Sequence, residues 1–408
     1  MKKNALCSII ALLAAVMLLS SCELTTDNLP TEPVTIPLST EQLQLVQSEN
    51  DFAFDLFNLI VESADKQENL VISPLSVSYA LAMLSNGAAG TTLDGILEAM
   101  RVTGIDIGSL NASYSDLTKA LLSIDKRVAM NIANSVWIEN MFTPKNPFIK
   151  ALTDYYDAET HNFSITDPTV PDIINAWIED KTNGIIKEMI DELEDNTVML
   201  LINAIYLKAR WKYEFDKSDT RDRPFNISSE EQVSVPVMYN KNKFKALSAN
   251  GFLVAEMPYG QGNYVMNVIL PPEDVEGKCT ITRAQFDTWM AGLSMKEAEI
   301  YMPRFKFGYK SGLNPHLTDM GMGTAFNPGF ADFSNISDLD LYVDEVLHQA
   351  HIETNEEGTE AAAAIAISIG VTSMPDIFIL NLNRPFFFVI REIQTSSIIF
   401  MGRVSDPS

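Results

Sequence analysis

Side chains able to make or break bonds are few in this chain, and they are scattered. Its 408 residues include 4 His and 3 Cys. His161 and His316 lie near no cluster of ligand residues. His348 and His351 stand three apart in a run that reads as a strand, where they point to opposite faces and cannot share a metal. Cys7 and Cys22 belong to the N-terminal end, which leaves Cys279 alone in a loop-like stretch and allows no intrachain disulfide. No Gly-x-Ser-x-Gly elbow, paired catalytic carboxylates or phosphate-binding loop is present. The residues give no case for an enzyme and require no metal and no cofactor.

The most patterned stretch runs from Glu356 to Pro375. It opens acidic with Glu356, Glu357, Gly358, Thr359 and Glu360, continues through Ala361, Ala362, Ala363 and Ala364, and carries no charge from Ala361 until Asp376. At period two, Thr359, Ala361, Ala363, Ile365, Ile367 and Ile369 share a face, and no proline interrupts a ladder before Pro375. Alanine is also the best helix former, so the residues alone allow a short buried helix or a strand. Two other positions are polar within apolar surroundings. Ser73 follows the apolar run 70–72 and precedes Pro74, an arrangement that caps a helix, with Ser76 one turn further on. Asn203 sits within the nearly continuous apolar run 197–207, which reads as a central strand covered on both sides, and a buried Asn needs partners.

The elements that must position these residues follow from periodicity. Residues 41–63 place Leu45, Phe52, Leu56, Leu59 and Ile60 at helical spacing, and 171–187 do the same with Ile174, Trp177 and Ile178. Residues 131–138 read as a strand. From 233 the chain becomes strand-rich, with runs at 233–238, 253–258, 264–270, 299–303, 341–352, 377–382, 385–390 and 397–403. Helices mainly first and strands mainly later indicate an α+β fold. No internal repeat stands out.

At the N-terminus, Lys2 and Lys3 precede an apolar run, 9–19, of signal-peptide length, which ends Leu19-Ser20-Ser21-Cys22. This resembles a bacterial lipobox, in which Cys22 would become the lipidated first residue of the mature chain. Residues 1–21 are then a lipoprotein signal peptide, 22–40 a Thr- and Pro-rich tether, and 41–408 the folded domain. Glu23 after the Cys favours the outer membrane, on its surface or its periplasmic face. Formal net charge is −25, which argues against nucleic acid and polyanion partners.

Several motifs, in order, resemble the serpins, a family of serine protease inhibitors. They are Ile72-Ser73-Pro74-Leu75-Ser76 with Gly87-Ala88, then Asn203-Ala204-Ile205-Tyr206-Leu207-Lys208 with Trp211, then Pro303-Arg304-Phe305 and Ala331-Asp332-Phe333-Ser334. After them come the Glu356–Ala362 stretch, Arg384-Pro385-Phe386 and Phe400-Met401-Gly402-Arg403-Val404. The match runs from about Gln42 to Pro407. It implies three β-sheets, eight or nine helices and an exposed reactive-centre loop over about 356–380. A target serine protease would attack that loop as substrate, and the cleaved loop would insert into the main sheet and trap the acyl-enzyme. Residues Glu356 to Ala364 match the hinge of this movement, and their small side chains favour an inhibitor over a non-inhibitory binding serpin. Ser73, Ser76, Asn203 and His348 match the shutter beneath the sheet; Trp211, Arg304 and Glu356 match the breach where insertion begins, with Arg304 and Glu356 expected within ion-pair distance. The family's spacing puts the attacked bond at Thr372–Ser373, with Val371 and Met374 as alternatives. Small aliphatic neighbours and no Lys or Arg in the loop point to elastase-like or subtilisin-like targets, with papain-like cysteine proteases as another class. The expected partners are the protease and, through Cys22, a membrane; the chain is expected to be a monomer.

Overall fold

Ser39 starts the first helix, α1 (Thr40–Ser63), through a capping box: its hydroxyl accepts the Gln42 N–H and the Gln42 side chain accepts the Ser39 N–H. The computed structural model describes residues 32–35, 37–273, 275, 279–358 and 377–408. The apolar stripe of α1 buries Leu45, Phe52, Leu56 and Ile60. Three fully buried residues make β1 (Leu70–Ile72), and Ser73 and Pro74 then open α2 (Pro74–Ser85). Next come α3 (Gly90–Ala99), α4 (Ile107–Ser123), β2 (Val128–Glu139), α5 (Asn146–Tyr156), β3 (Glu159–Phe163), α6 (Val170–Lys181) and β4 (Met199–Ala209). The strand-rich half contains β5 (Arg221–Asn226), β6 (Gln232–Ala249), β7 (Phe252–Pro258), β8 (Tyr264–Leu270), α7 (Arg283–Gly292), β9 (Ser294–Pro303), β10 (Phe305–Gly312) and α8 (Asn314–Asp319). It ends with β11 (Leu347–Thr354), β12 (Phe378–Asn381), β13 (Phe386–Glu392) and β14 (Ile398–Val404).

This is the expected α+β architecture, with eight helices and three sheets among the described residues. The largest sheet has the order β1-β14-β13-β8-β7-β6-β9-β12, with β5 on β6. A three-stranded sheet, β3-β2-β4, and a two-stranded pair, β10-β11, complete the set. No ladder joins β4 to β11 among the described residues. β4 is covered on both faces: Ile202 packs with Ile174 and Ile178 of α6, while Ile205 and Leu207 join the main core. The 3-residue offset between Ile202 and Ile205 puts them on opposite sides.

Several boundaries differ from the sequence reading. The helix expected over 171–187 stops at Lys181, because Thr182 caps it (its hydroxyl donates to Ile178 O, 2.7 Å) and Asn183 and Gly184 turn left-handed. The strand expected over 341–352 begins only at Leu347. Ahead of it, Val343 N–H bonds to Ala325 O and Val346 N–H to Asn314 Oδ1, so that backbone is committed elsewhere. β6 continues to Ala249, well past 238, through a half whose Lys241, Lys243 and Lys245 obscure its apolar face.

Candidate functional site

At the end of β11 the chain folds back on itself. Asn355 and Gly358 exchange backbone bonds of 3.1 and 3.2 Å around Glu356 and Glu357, and Gly358 then bridges Arg210 in antiparallel sense. Gly358 has φ of +117°, and a Cβ there would lie 2.4 Å from Ala209 O, 2.6 Å from Arg210 Cα and 2.6 Å from Trp211 N. Both the dihedral and the close approach demand glycine. The turn is held from the side of β4. Trp211 N–H donates to Glu357 O (3.0 Å), Phe215 N–H to Glu356 O (2.8 Å), and the Trp211 indole N–H to Asn355 O (3.0 Å). The buried Trp211 ring stacks on Tyr259, with centroids 4.3 Å apart.

Glu356 is buried to 1% exposure, yet one guanidinium and one hydroxyl meet its carboxylate. Arg304 Nε lies 2.8 and 2.9 Å from its two oxygens, Arg304 Nη2 lies 2.5 Å from Oε1, and the Thr220 hydroxyl donates to Oε1. Burial alone pushes this carboxyl upward; Arg304 first and Thr220 second outweigh it and hold it below the usual carboxylate value. Lys217 pairs with Glu357. Trp211, Arg304 and Glu356 thus meet at one place, the top of β4 and β11.

A second polar cluster sits lower, beneath the same two strands. Ser73 N–H donates to His348 Nε2 (3.1 Å), the Ser73 hydroxyl donates to Ile399 O (2.8 Å), and Ser76 N–H donates to Ser73 Oγ (3.3 Å). The Ser76 hydroxyl donates to Asn203 Oδ1, and Asn203 Nδ2 donates to Asn134 Oδ1 (2.7 Å). Burial pushes the His348 imidazole down to about 4, so it is neutral at pH 7, and accepting at Nε2 places its proton on Nδ1. β11 and β4, which share no ladder, are therefore joined here through the first turn of α2.

Cys22, Thr359, Glu360, Ala361, Ala362, Ala363, Ala364, Val371, Thr372, Ser373 and Met374 lie outside the described residues. Tyr259, Thr220, Lys217 and Asn134 belong to the two clusters but were not singled out from the sequence. Each sits in or beside an ordinary strand or, for Lys217 and Thr220, a single 3-10 turn, with no local signal of its role. His351 packs across from Gly308 of β10, where a Cβ would come within 2.3 Å of its ring. Among the described residues no group of His, Cys, Asp and Glu is arranged to hold a metal. The site consists of two strands that share no ladder among the described residues, with the Asn355–Gly358 turn at their head.

The family described as serpin (serine protease inhibitor) matches residues 47–407. A serine protease inhibitor of Cyanea capillata is 33% identical over 369 residues, covering 86% of this chain and 95% of the relative. A leukocyte elastase inhibitor of Equus caballus is 32% identical over 381 residues, covering 89% of this chain and 100% of the relative. Among solved structures, the thermophilic serpin tengpin in the native state superposes with a TM-score of 0.81 at 31% identity, over 93% of this chain and 98% of that one. Human thyroxine-binding globulin in complex with thyroxine gives a TM-score of 0.81 at 27% identity, over 90% and 100%.

Proposed function

The chain belongs to the serpin family, and we propose that it is a suicide-substrate inhibitor of serine proteases that traps its target by inserting the cleaved loop as a strand. One observation carries this reading: β4 and β11 share no ladder among the described residues, while Gly358 turns out of β11 and pairs antiparallel with Arg210 at the head of both strands. Extending the pairs Arg210–Gly358 and Asn355–Gly358 gives the register of the inserted state. Thr359 would fall between Ala209 and Thr354, Ala361 between Leu207 and Ile352, Ala363 between Ile205 and Ala350, and Ile365 between Asn203 and His348. All eight flanking residues are buried. Methyl-sized side chains fit such positions, whereas a charge there would be desolvated without a partner. Ile365 would arrive at the Asn203–His348 cluster, so that cluster must yield when the strand passes.

The reaction begins as ordinary acyl transfer. The protease serine attacks the Thr372 carbonyl, the ester forms, and the amine of Ser373 leaves with the catalytic proton. Water would normally cleave the ester. Insertion of residues 359–372, at roughly 3.3 Å each, instead carries the tethered protease about 45 Å. Pulling on the acyl-enzyme spoils an active site whose geometry must hold to about 0.5 Å. The loop has no Lys or Arg, and Val371, Thr372 and Ser373 are small, which favours elastase-like or subtilisin-like targets. The leukocyte elastase inhibitor among the relatives fits that preference. In the same reading, Cys22 is lipidated and the monomeric domain is tethered at the outer membrane.

Incubation with an elastase tests this. An SDS-stable complex and a released C-terminal peptide beginning at Ser373 are expected. Cleavage without complex by elastase, subtilisin and papain alike would point instead to a binding module.

A further inference from the structure

The segment ahead of α1 is docked beside the place where the hinge enters. Val34 N–H donates to Asn263 Oδ1 and Asn263 Nδ2 donates to Val34 O, both at 2.8 Å, so one side-chain amide pairs with the segment as a strand edge would. Glu32 lies 3.6 Å from Lys212 Nζ. Pro33 packs over Gly262, where an added Cβ would be 3.4 Å from its Cγ. Asn263 is itself fully buried, and its backbone carbonyl accepts the Ile393 N–H at 2.8 Å.

The turn that carries Asn263 is fastened to residues 210–212. Lys212 N–H donates to Pro258 O and Gly260 N–H to Arg210 O, both at 2.8 Å, and Lys212 Nζ donates to Gln261 O at 3.1 Å. Tyr259 stacks on Trp211. The other side of residues 210–211 receives Gly358 and Glu357. Three residues therefore separate the N-terminal segment from the hinge, and Lys212 contacts both the segment and the turn.

We propose that residues 32–34 form a strap that holds residues 210–212 in the arrangement that accepts the hinge, with Asn263 and Lys212 as positioning residues for insertion. The proposal rests on the inhibitor reading. Insertion competes with hydrolysis of the acyl-enzyme, so loosening the receiving edge slows insertion and releases active protease with cleaved inhibitor. Because the strap is docked in the same structure in which Gly358 is seated, its expected role is to favour seating rather than to restrain it.

Two exposed substitutions in the full-length chain test the strap without touching the core. Val34→Pro removes the N–H that Asn263 accepts, and Glu32→Lys sets like charges opposite Lys212. With limiting elastase, Val34→Pro should raise the ratio of cleaved free inhibitor to complex about five-fold, the effect of one lost hydrogen bond, and Glu32→Lys about two- to five-fold, the effect of an exposed ion pair turned repulsive, both at an unchanged rate of loop cleavage. Amide hydrogen exchange at Trp211 and Phe215 in the uncleaved variants should quicken, a readout independent of inhibition. A wild type that traps no protease refutes the inhibitor reading. Variants whose amides at 211 and 215 exchange as in the wild type, or which trap equally well or better, refute the strap.

Discussion

Replacing Gly358 with Ala is the sharpest perturbation available at the hinge. A Cβ at this position would meet three backbone atoms at 2.4, 2.6 and 2.6 Å, against an ordinary carbon contact of about 3.5–4.0 Å. The colliding atoms belong to the end of β4 and the residues after it, so relief requires moving the chain by about an ångström. The dihedral, φ of +117°, adds roughly 1–3 kcal/mol for a residue other than glycine. Unseating the turn also gives up the paired bonds of Asn355 with Gly358 and the bond from Trp211 N–H to Glu357 O, each about 0.5–1.5 kcal/mol. A loss on the order of 3–5 kcal/mol at the first step of insertion corresponds to roughly a hundredfold or greater shift of acyl-enzyme toward hydrolysis. Titration of an elastase with the variant, followed on a denaturing gel, should show cleaved chain and almost no complex. Gly184→Ala is the control, because Gly184 also has positive φ (+81°) but nothing stands within 4 Å of its Cβ position; it should trap normally. A Gly358→Ala chain that titrates elastase at wild-type stoichiometry would refute the seating argument.

Other residues give further expectations. Arg304→Met strips the main partner from a carboxylate buried to 1% exposure; chemical denaturation should show a loss of about 1–3 kcal/mol, less than for a fully buried pair because Arg304 is partly solvated. His348 is held neutral in the fold, down to about 4 against 6.5 when free. The unfolded chain therefore takes up a proton first, and stability should fall by about 3 kcal/mol between pH 6.5 and 4, a slope that His348→Gln should largely remove. Glu49 has the opposite sense. Burial raises it from 4.5 to about 7, and the nearby Tyr114 and Ser78 hydroxyls, the latter donating to Glu49 Oε1 at 3.3 Å, offset this only in part. The folded state thus keeps its proton longer than the unfolded chain, and stability is lost as pH rises from 4.5 through 7. Glu49→Gln should gain about 3 kcal/mol at pH 8 relative to wild type and little below pH 4.5, as read from unfolding midpoints across pH.

Much of the fold was legible because burial writes itself into apolar periodicity. The stripe of α1, the run of β4 and the β7, β8, β13 and β14 strands are continuous or regularly spaced apolar segments. β5 was not legible: most of its residues are exposed, Pro224 stands within it, and only pairing with β6 makes it a strand. β10 hides a two-residue alternation, Phe305, Phe307 and Tyr309 against Lys306 and Lys310, in a stretch too short and too charged to stand out until β11 is placed beside it. The same distinction holds at the site. Glycine at 358 is visible in the sequence, but the reason for it lies in residues 209–211, reached only by tertiary packing. The Trp211 indole reaches a carbonyl 144 residues away, and through a backbone atom that any residue at 355 would supply. Likewise the strap pairs the backbone of Val34 with Asn263, 229 positions distant, and nothing in a Thr- and Pro-rich segment announces such a contact.

The central claim is that a cut loop enters between β4 and β11. Hydrogen exchange of Met199–Ala209 and Leu347–Thr354, compared before and after a single cut among residues 371–374, tests it most directly. The account predicts that amides along both strands become strongly protected after the cut, from Gly358 down to the level of Asn203 and His348 and beyond. Exchange that stays unchanged on both strands after complete cleavage would contradict it.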